Sequence, residues 1–370
     1  MIIEERKTEC CMKEKILIIG GTGAIGGALV KELSLRSDIE VWVTSRKEHV
    51  DYSSIHYIKG SGKNLKFISE ILKSNYEYVI DFMDYSTEEF KDTIQLIIKS
   101  TKHYFFLSSA RVYANTENLI TEESELLLNN CPNEIRNSDC YPIHKILQEE
   151  IVKELCEKYG KRYTILRPYI VYNQDRLQLC SMEKERWLYR VMNEKKVAYP
   201  EQMVEKYTTM TFGGDVAKII SHFIGNAACV NQVVNITSGC SMKWKEIMDI
   251  YNEIIIEIMG KNINYVSTDT KKFAKKLGNE IATFYDRMYD RRFDNTKLLS
   301  IYPDVKFIPI EEGLRQCIRN FFENPVWKYI DITDEAYLDG FTDDKISIGN
   351  YTIKDKIKYI YCRYIKFFEK

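Results

Sequence analysis

Lys15-Ile-Leu-Ile-Ile-Gly-Gly-Thr-Gly-Ala-Ile-Gly-Gly27 decides the fold. Ile16 to Ile19 run without polar alternation, as a strand buried on both faces of a parallel sheet does. A glycine cluster follows, and then the helical pattern Ala28-Leu-Val-Lys-Glu-Leu-Ser-Leu35. Strand, glycine turn and helix predict a dinucleotide-binding unit. Gly20 makes the sharp turn, Gly23 leaves room for a pyrophosphate against the backbone, and Gly26 lets the helix pack close to the strand. The helix N-terminus then offers N–H groups and a positive dipole end to the phosphates. The spacing is Gly20-x-x-Gly23-x-x-Gly26 rather than G-x-G-x-x-G.

Further strands are expected at Glu40–Thr44, His56–Lys59, Tyr78–Met83 and Tyr104–Ser108. Helical patterns lie between them, notably Phe67–Lys73 and Glu88–Ser100. This alternation specifies an α/β, Rossmann-type, doubly wound parallel sheet. A polar stretch, Asn115–Asp139, interrupts it before a long helix, Tyr141–Tyr159, and a strand, Tyr163–Arg167, closed by Pro168. The second half is less regular, with helical patterns at Glu183–Asn193, Asp215–Ile224, Lys243–Met259 and Glu311–Phe322. The expected organisation is a leader at 1–13, a dinucleotide-binding domain at 14–178, and a smaller, partly interleaved substrate domain at 179–340. A segment near 209–240 is expected to return to the sheet through Val233–Thr237.

Residues 341–370 form a separate amphipathic tail. Thr352-Ile-Lys-Asp355 is a capping sequence. Ile357, Ile360, Tyr361, Tyr364, Ile365 and Phe368 recur at helical spacing among Lys354, Lys356, Lys358, Arg363, Lys366 and Lys370. The preferred reading is a helix packing on its own protein or a second subunit, ahead of a basic anchor at a membrane surface.

The formal charge of -1 over 370 residues gives no electrostatic reason to seek nucleic acid. Ten cysteines without a Cys-x-x-Cys pair and five scattered histidines point to a reducing cytoplasm and to no metal site.

Two further motifs carry chemistry. In Tyr141-Pro-Ile-His-Lys145, Tyr and Lys at i and i+4 share a helix face. The ammonium favours the phenolate, which can then exchange a proton with a substrate hydroxyl. Pro142 is tolerated in the first helical turn. In Phe106-Leu-Ser-Ser109-Ala-Arg-Val-Tyr113, Ser109 follows the fifth strand, where ligands bind in open α/β sheets, and can hold the reacting oxygen for Tyr141. The end of the second strand reads Thr44-Ser45-Arg46. It lacks the acid that takes a ribose 2′-OH, and Arg46 suits a 2′-phosphate, so NADP is preferred over NAD.

The chain thus resembles the extended short-chain dehydrogenase/reductases, in particular their NAD-dependent epimerase/dehydratase branch. The resemblance rests on the glycine motif, Ser-Ser-Ala-x-Val-Tyr113, Tyr141-x-x-x-Lys145, Leu166-Arg-Pro168, Asn235-Ile-Thr-Ser-Gly239, Phe293-Asp-Asn-Thr-Lys297 and Glu311-Glu-Gly-Leu-Arg315. It implies Ser109, Tyr141 and Lys145 as catalytic residues, with Lys145 also on the nicotinamide ribose. It implies NAD(P) held by Gly20, Gly23, Ala24, Ile25, Gly26, Ser45, Arg46, Ser61, Phe82, Tyr141, Lys145 and Pro168. It also implies hydride transfer at a carbon of a nucleotide sugar, and pairing of two subunits through the helix of Tyr141. The chain departs from the 4,6-dehydratases, whose Thr-Asp-Glu is Ser109-Ala110-Arg111 here, so neither acid for water elimination is present. The arginine expected before Asp215 is missing too, and Arg291 and Arg292 are candidates to replace it on a sugar-nucleotide phosphate. Epimerase and keto-sugar reductase are the two enzymatic readings. A non-catalytic dinucleotide sensor or RNA binder is the third, disfavoured by the complete Ser, Tyr and Lys set.

Overall fold

The computed structural model describes residues 13–345, 349 and 351–369. The expected leader therefore lies outside the described residues except for Lys13, and so does Lys370. Strands β1 (Glu14–Ile19), β2 (Ile39–Ser45), β3 (Ile55–Lys59), β4 (Tyr76–Asp81), β5 (Thr101–Leu107), β6 (Arg162–Arg167) and β7 (Gln232–Asn235) form a seven-stranded sheet in the order β7-β6-β5-β4-β1-β2-β3. β1 pairs in parallel with both β2 and β4, β2 with β3, and β4 with β5. The order reverses at β1, where doubly wound sheets open a ligand crevice beyond the carboxyl ends of the strands. Ile16–Ile19 are wholly buried, which explains their unbroken apolar run.

The chain divides into two compact units. The first comprises residues 13–107, Leu147–Ile165 and Ile220–Gln232. Its helices include α1 (Ala24–Leu33), α2 (Leu65–Ile71) and α3 (Thr87–Ser100). Asn64 caps α2, and Ser86 and Glu89 form a reciprocal capping box on α3. Helix α4 (Tyr141–Tyr159) matches its expected bounds, and its last turns belong to this unit.

The second unit comprises Ser108–Ile146, Leu166–Ile219 and the chain from Val233 onward. It contains α5 (Lys184–Met192), most of α6 (Gly213–Phe223), α7 (Trp244–Met259), α8 (Thr270–Lys276), α9 (Ile310–Glu323), α10 (Ile332–Thr342) and α11 (Ile353–Tyr361). Its core is aromatic: Trp187 lies 4.5 Å from Tyr251, ring to ring, and Trp187 Nε1 donates to the Leu177 carbonyl at 3.1 Å.

The segments that carried the family resemblance hold one another in place. Arg167 donates to the Tyr113 hydroxyl at 2.7 Å, and that hydroxyl donates to Asn235 Oδ1 at 2.7 Å. Asn295 Nδ2 donates to the Thr237 carbonyl at 2.8 Å, and Thr237 returns a bond to Asn295 Oδ1 at 3.1 Å. Asp215 accepts from the Ile308 amide. These motif residues are structural ties between loops, each satisfying a buried polar group.

The tail packs on its own protein, as one of the two preferred readings has it, but through another side than the apolar stripe. Thr352 does cap α11, accepting from the Asp355 amide at 3.2 Å. Yet the residues turned inward are Tyr359, Cys362, Arg363 and Phe367. The apolar stripe through Ile357, Ile360, Tyr361, Tyr364, Ile365 and Phe368 is exposed rather than packed on its own protein. A buried polar network made the other side of the helix the anchoring one. Tyr359 donates to Asp339 Oδ2 at 2.5 Å, and Arg363 donates to the Asp344 carbonyl at 2.6 Å.

Candidate active site

The glycine turn lies in the first unit, between β1 and α1. Gly20 sits at φ +74°, where a side chain would be strained, and its amide donates to Thr44 Oγ1 at 3.0 Å. Gly23 is the N-cap of α1, and a Cβ there would meet nothing closer than the Gly20 carbonyl at 4.0 Å. Gly23 has no side chain to cap the helix and no acidic residue lies in its first turn, so the helix itself brings no negative charge to its positive dipole end. The residues present therefore fit a dinucleotide pyrophosphate. At Gly26 a Cβ would lie 2.7 to 2.9 Å from the backbone of Gly21. Gly26→Ala is expected to destabilise the protein by about 1–3 kcal/mol through overpacking and to weaken dinucleotide binding together with it. Thermal unfolding and a cofactor titration on the same variant check this.

The other residues assigned to the cofactor lie at the carboxyl ends of neighbouring strands. Ala24 and Ile25 open α1. Ser45 ends β2, its hydroxyl shared between His49 Nε2 at 3.0 Å and the Lys47 amide at 3.1 Å. Arg46 follows, exposed and without an ion pair among the described residues. Ser61 lies just beyond β3, and Phe82 just beyond β4 with its amide on the Ile19 carbonyl at 2.9 Å. Sequence reasoning missed Asp81, buried at the end of β4, whose Oδ2 accepts from the Tyr85 and Tyr104 hydroxyls at 3.1 and 3.2 Å.

The second unit carries the residues with acid–base chemistry. The segment after β5 is held by the Ser108 amide on the Leu166 carbonyl at 2.8 Å and the Ala110 amide on the Pro168 carbonyl at 2.9 Å. Pro168 thus supports Ser109 from the end of β6. Ser109 is buried, and its hydroxyl accepts from the Arg111 amide at 3.2 Å. Tyr141 and Lys145 occupy the first turns of α4, and the Lys145 ammonium lies 5.7 Å from the centroid of the Tyr141 ring. The Arg111 guanidinium lies 5.2 Å from the same centroid. His144, between them in sequence, pairs with Asp139 instead.

Arg111 is the residue the sequence undervalued. Read there only as the absence of an acid, it positions positive charge on the tyrosine. Its Nε lies 3.1 Å from Asp286 Oδ2, oriented as an ion pair rather than a hydrogen bond. Asp286 is buried and also pairs with Arg287 and with Arg291, whose Nε is 3.0 Å from Oδ1. Burial opposes its ionisation, but the attraction of Arg287, Arg291 and Arg111 outweighs it and holds the carboxyl below its ordinary range. One carboxylate among three guanidiniums leaves the cluster net positive. Asp286, Arg287 and Arg291 are near one another in sequence, but Arg111 joins them from a distant part of the chain, so no local spacing announces the pair.

Arg291 is not a substrate arginine. It is fully buried, and its remaining donors go to the carbonyls of Ala114 and Tyr113 at 3.3 and 3.1 Å. Arg292 donates to the Glu117 carbonyl at 3.0 Å and lies over Tyr207.

Sheet order, glycine turn and the Tyr-x-x-x-Lys helix define a Rossmann-type enzyme of the extended short-chain dehydrogenase/reductase class, dependent on NAD(P). Residues 16–237 match the NAD dependent epimerase/dehydratase family, and the chain belongs to it. Among curated proteins it is 21% identical over 333 residues to a GDP-L-fucose synthase of Dictyostelium discoideum, covering 86% of this chain and 98% of that protein. Among solved structures it resembles the Bordetella bronchiseptica enzyme WbmH in complex with NAD+, with TM-score 0.65, 14% identity, and 85% and 100% of the two chains covered. It also resembles the UDP-N-acetylglucosamine 4-epimerase of Methanobrevibacter ruminantium M1, in complex with UDP-N-acetylmuramic acid, with TM-score 0.65, 19% identity, and 84% and 99% covered.

Proposed function

We propose that this enzyme epimerises a carbon of a nucleotide sugar by oxidising its hydroxyl and reducing the ketone on the other face. The observation that carries the reading is the closeness of two cations to the Tyr141 ring, Arg111 at 5.2 Å and Lys145 at 5.7 Å from its centroid, at the start of helix α4. Two nearby positive charges favour the phenolate, so Tyr141 takes the hydroxyl proton as the alcohol is oxidised and returns it as the ketone is reduced. Ser109 donates a hydrogen bond to the reacting oxygen and keeps it within reach of that phenol. Lys145 holds the ribose of the cofactor as well as the charge on the tyrosine. When the dinucleotide is bound, its nicotinamide would supply the hydride acceptor and donor. The similarity to a GDP-L-fucose synthase and to a UDP-N-acetylglucosamine 4-epimerase supports a nucleotide sugar as substrate.

Water elimination is the chemistry this site is least suited to. Ala110 and Arg111 replace the acid and base of the dehydratases. The carboxylate beside Arg111, Asp286, is buried and held ionised by its arginines, so it has no proton to give a leaving hydroxide.

Arg46 favours a second version, a keto-sugar reductase using NADPH. With no carboxylate ending β2, its exposed guanidinium suits a 2′-phosphate. Arg46→Asp is expected to weaken NADP binding about tenfold or more, the worth of a hydrogen bond to a charged group, while sparing NAD. Equal affinities before and after the change, measured by fluorescence titration, would remove Arg46 from the site. We place the enzyme in the cytoplasm on its scattered thiols. Incubation with UDP- and GDP-sugars separates the two versions. An epimerised sugar with no net change in nicotinamide absorbance supports the epimerase, and stoichiometric loss of NADPH supports the reductase.

A further inference from the structure

The tail helix presents an apolar side that the protein does not use. Ile353 is 79% exposed, Ile357 64% and Phe368 70%, and Ile360, Tyr361, Tyr364 and Ile365 are exposed with them. Spacings of three and four residues put these side chains on one side of α11 and the turn that continues it to Lys366. A contiguous apolar surface of this kind marks an interaction site.

The helix is also fixed in place. Phe367 packs edge-on against Phe341, with centroids 4.9 Å apart, and against Gly340, where a Cβ would come within 2.9 Å of its ring. Lys276 caps the end of the tail, donating to the Glu369 carbonyl at 2.9 Å and to the Lys366 carbonyl. The apolar side is therefore held outward by contacts on the opposite side.

Lysines surround it. Lys354, Lys358 and Lys366 are exposed on the tail itself, and Lys271, Lys272 and Lys275 on neighbouring α8. Lys272 lies 3.9 Å from the Phe367 ring and 5.8 Å from that of Phe368, so the two elements form one surface. The facing acids are few. Asp355 and Asp269 serve as helix-start hydrogen-bond acceptors for Thr352 and Lys272, and Glu369 ends the segment. A chain with formal charge -1 has gathered cations here.

We propose that this face docks on an anionic lipid surface. The exposed isoleucines and aromatics enter the boundary between headgroups and acyl chains, and the lysines contact the acidic headgroups. A helix of this length, about 20 Å, lies flat, in keeping with the finding that no described helix is long and apolar enough to cross a membrane. Charge argues against a second copy as occupant. A two-fold interface sets the same patch against itself, lysines facing lysines, whereas acidic lipid complements it.

The test is sedimentation of the full chain with vesicles of phosphatidylcholine alone and of phosphatidylcholine with phosphatidylserine. The wild type is expected to bind the anionic vesicles at least about tenfold more strongly, with binding falling as salt rises. Ile357→Glu with Ile360→Glu should abolish binding, and Lys354→Glu with Lys358→Glu should reduce it about tenfold or more. These positions are exposed, and a circular dichroism spectrum and sugar-converting activity in solution should match the wild type. The proposal is overturned if the wild type stays in the supernatant with anionic vesicles at low salt, or if the isoleucine variant still binds. It is overturned equally if the wild type is a dimer that Ile357→Glu splits and no vesicle binding occurs.

Discussion

Tyr141→Phe is expected to lower kcat/KM by about 10²- to 10⁴-fold, the contribution of a positioned acid–base group. The substitution removes one oxygen and keeps the ring, so the contacts with Lys145 and Arg111 at 5.7 and 5.2 Å persist and the start of α4 is unchanged. Dinucleotide affinity should change little, since only one oxygen is removed and the glycine turn is untouched. Loss confined to kcat assigns the oxygen to proton transfer in the transition state. Arg111→Ala should act differently. It removes charge beside the phenol and a partner of Asp286, so the pH dependence of kcat should move to higher pH as the phenolate becomes harder to form. A Tyr141→Phe variant with wild-type kcat would remove the Tyr141 phenol from the proton transfer.

The second large effect lies far from the chemistry. Arg190 is fully buried, and all five of its N–H donors have acceptors: the Lys196 carbonyl at 2.8 Å, Glu335 at 3.1 Å, Asp339 at 2.8 Å, Thr342 at 3.0 Å and Asp344 at 2.7 Å. Lys195 adds a second cation to Glu335 and Asp339. Burial raises the Glu335 carboxyl, and Arg190 and Lys195 pull against that rise. Arg190→Ala would strand buried carboxylates with one lysine, and breaking such a network costs about 3–5 kcal/mol. Arg190→Lys keeps the charge but loses the planar fork, and should fall between. Urea unfolding measures both, and a loss under about 1 kcal/mol, the scale of an exposed ion pair, would contradict this account. Because Asp339 and Asp344 also hold Tyr359 and Arg363, the same variant should expose the tail to protease before the rest of the chain.

The central sheet was legible because its signals are local. The unbroken apolar run Ile16–Ile19, followed at once by a glycine turn and a helical pattern, reads as a strand covered on both faces, and that turn after β1 marks the switch in strand order. The i, i+4 relation of Tyr141 and Lys145 is likewise a property of one helix. What escaped sequence reading depends on distant partners. Arg111 looked like a missing acid because its counter-charge, Asp286, enters from another part of the chain. Arg291 looked available because nothing near it in sequence reveals the carbonyls of Tyr113 and Ala114. In the tail, periodicity located the apolar stripe correctly but could not tell which side faces the protein. Tyr359 and Arg363, through their buried partners Asp339 and Asp344, decide that.

The most direct measurement is a single turnover. Cofactor-loaded wild type and Tyr141→Phe are mixed rapidly with the nucleotide sugar that the enzyme converts, and the reduced-nicotinamide absorbance is followed. A transient rise and fall in the wild type, absent from Tyr141→Phe, is the predicted result. Conversion of the sugar with no transient, or an equal transient in the two proteins, would contradict the assignment of Tyr141 to proton transfer in a hydride-transfer enzyme.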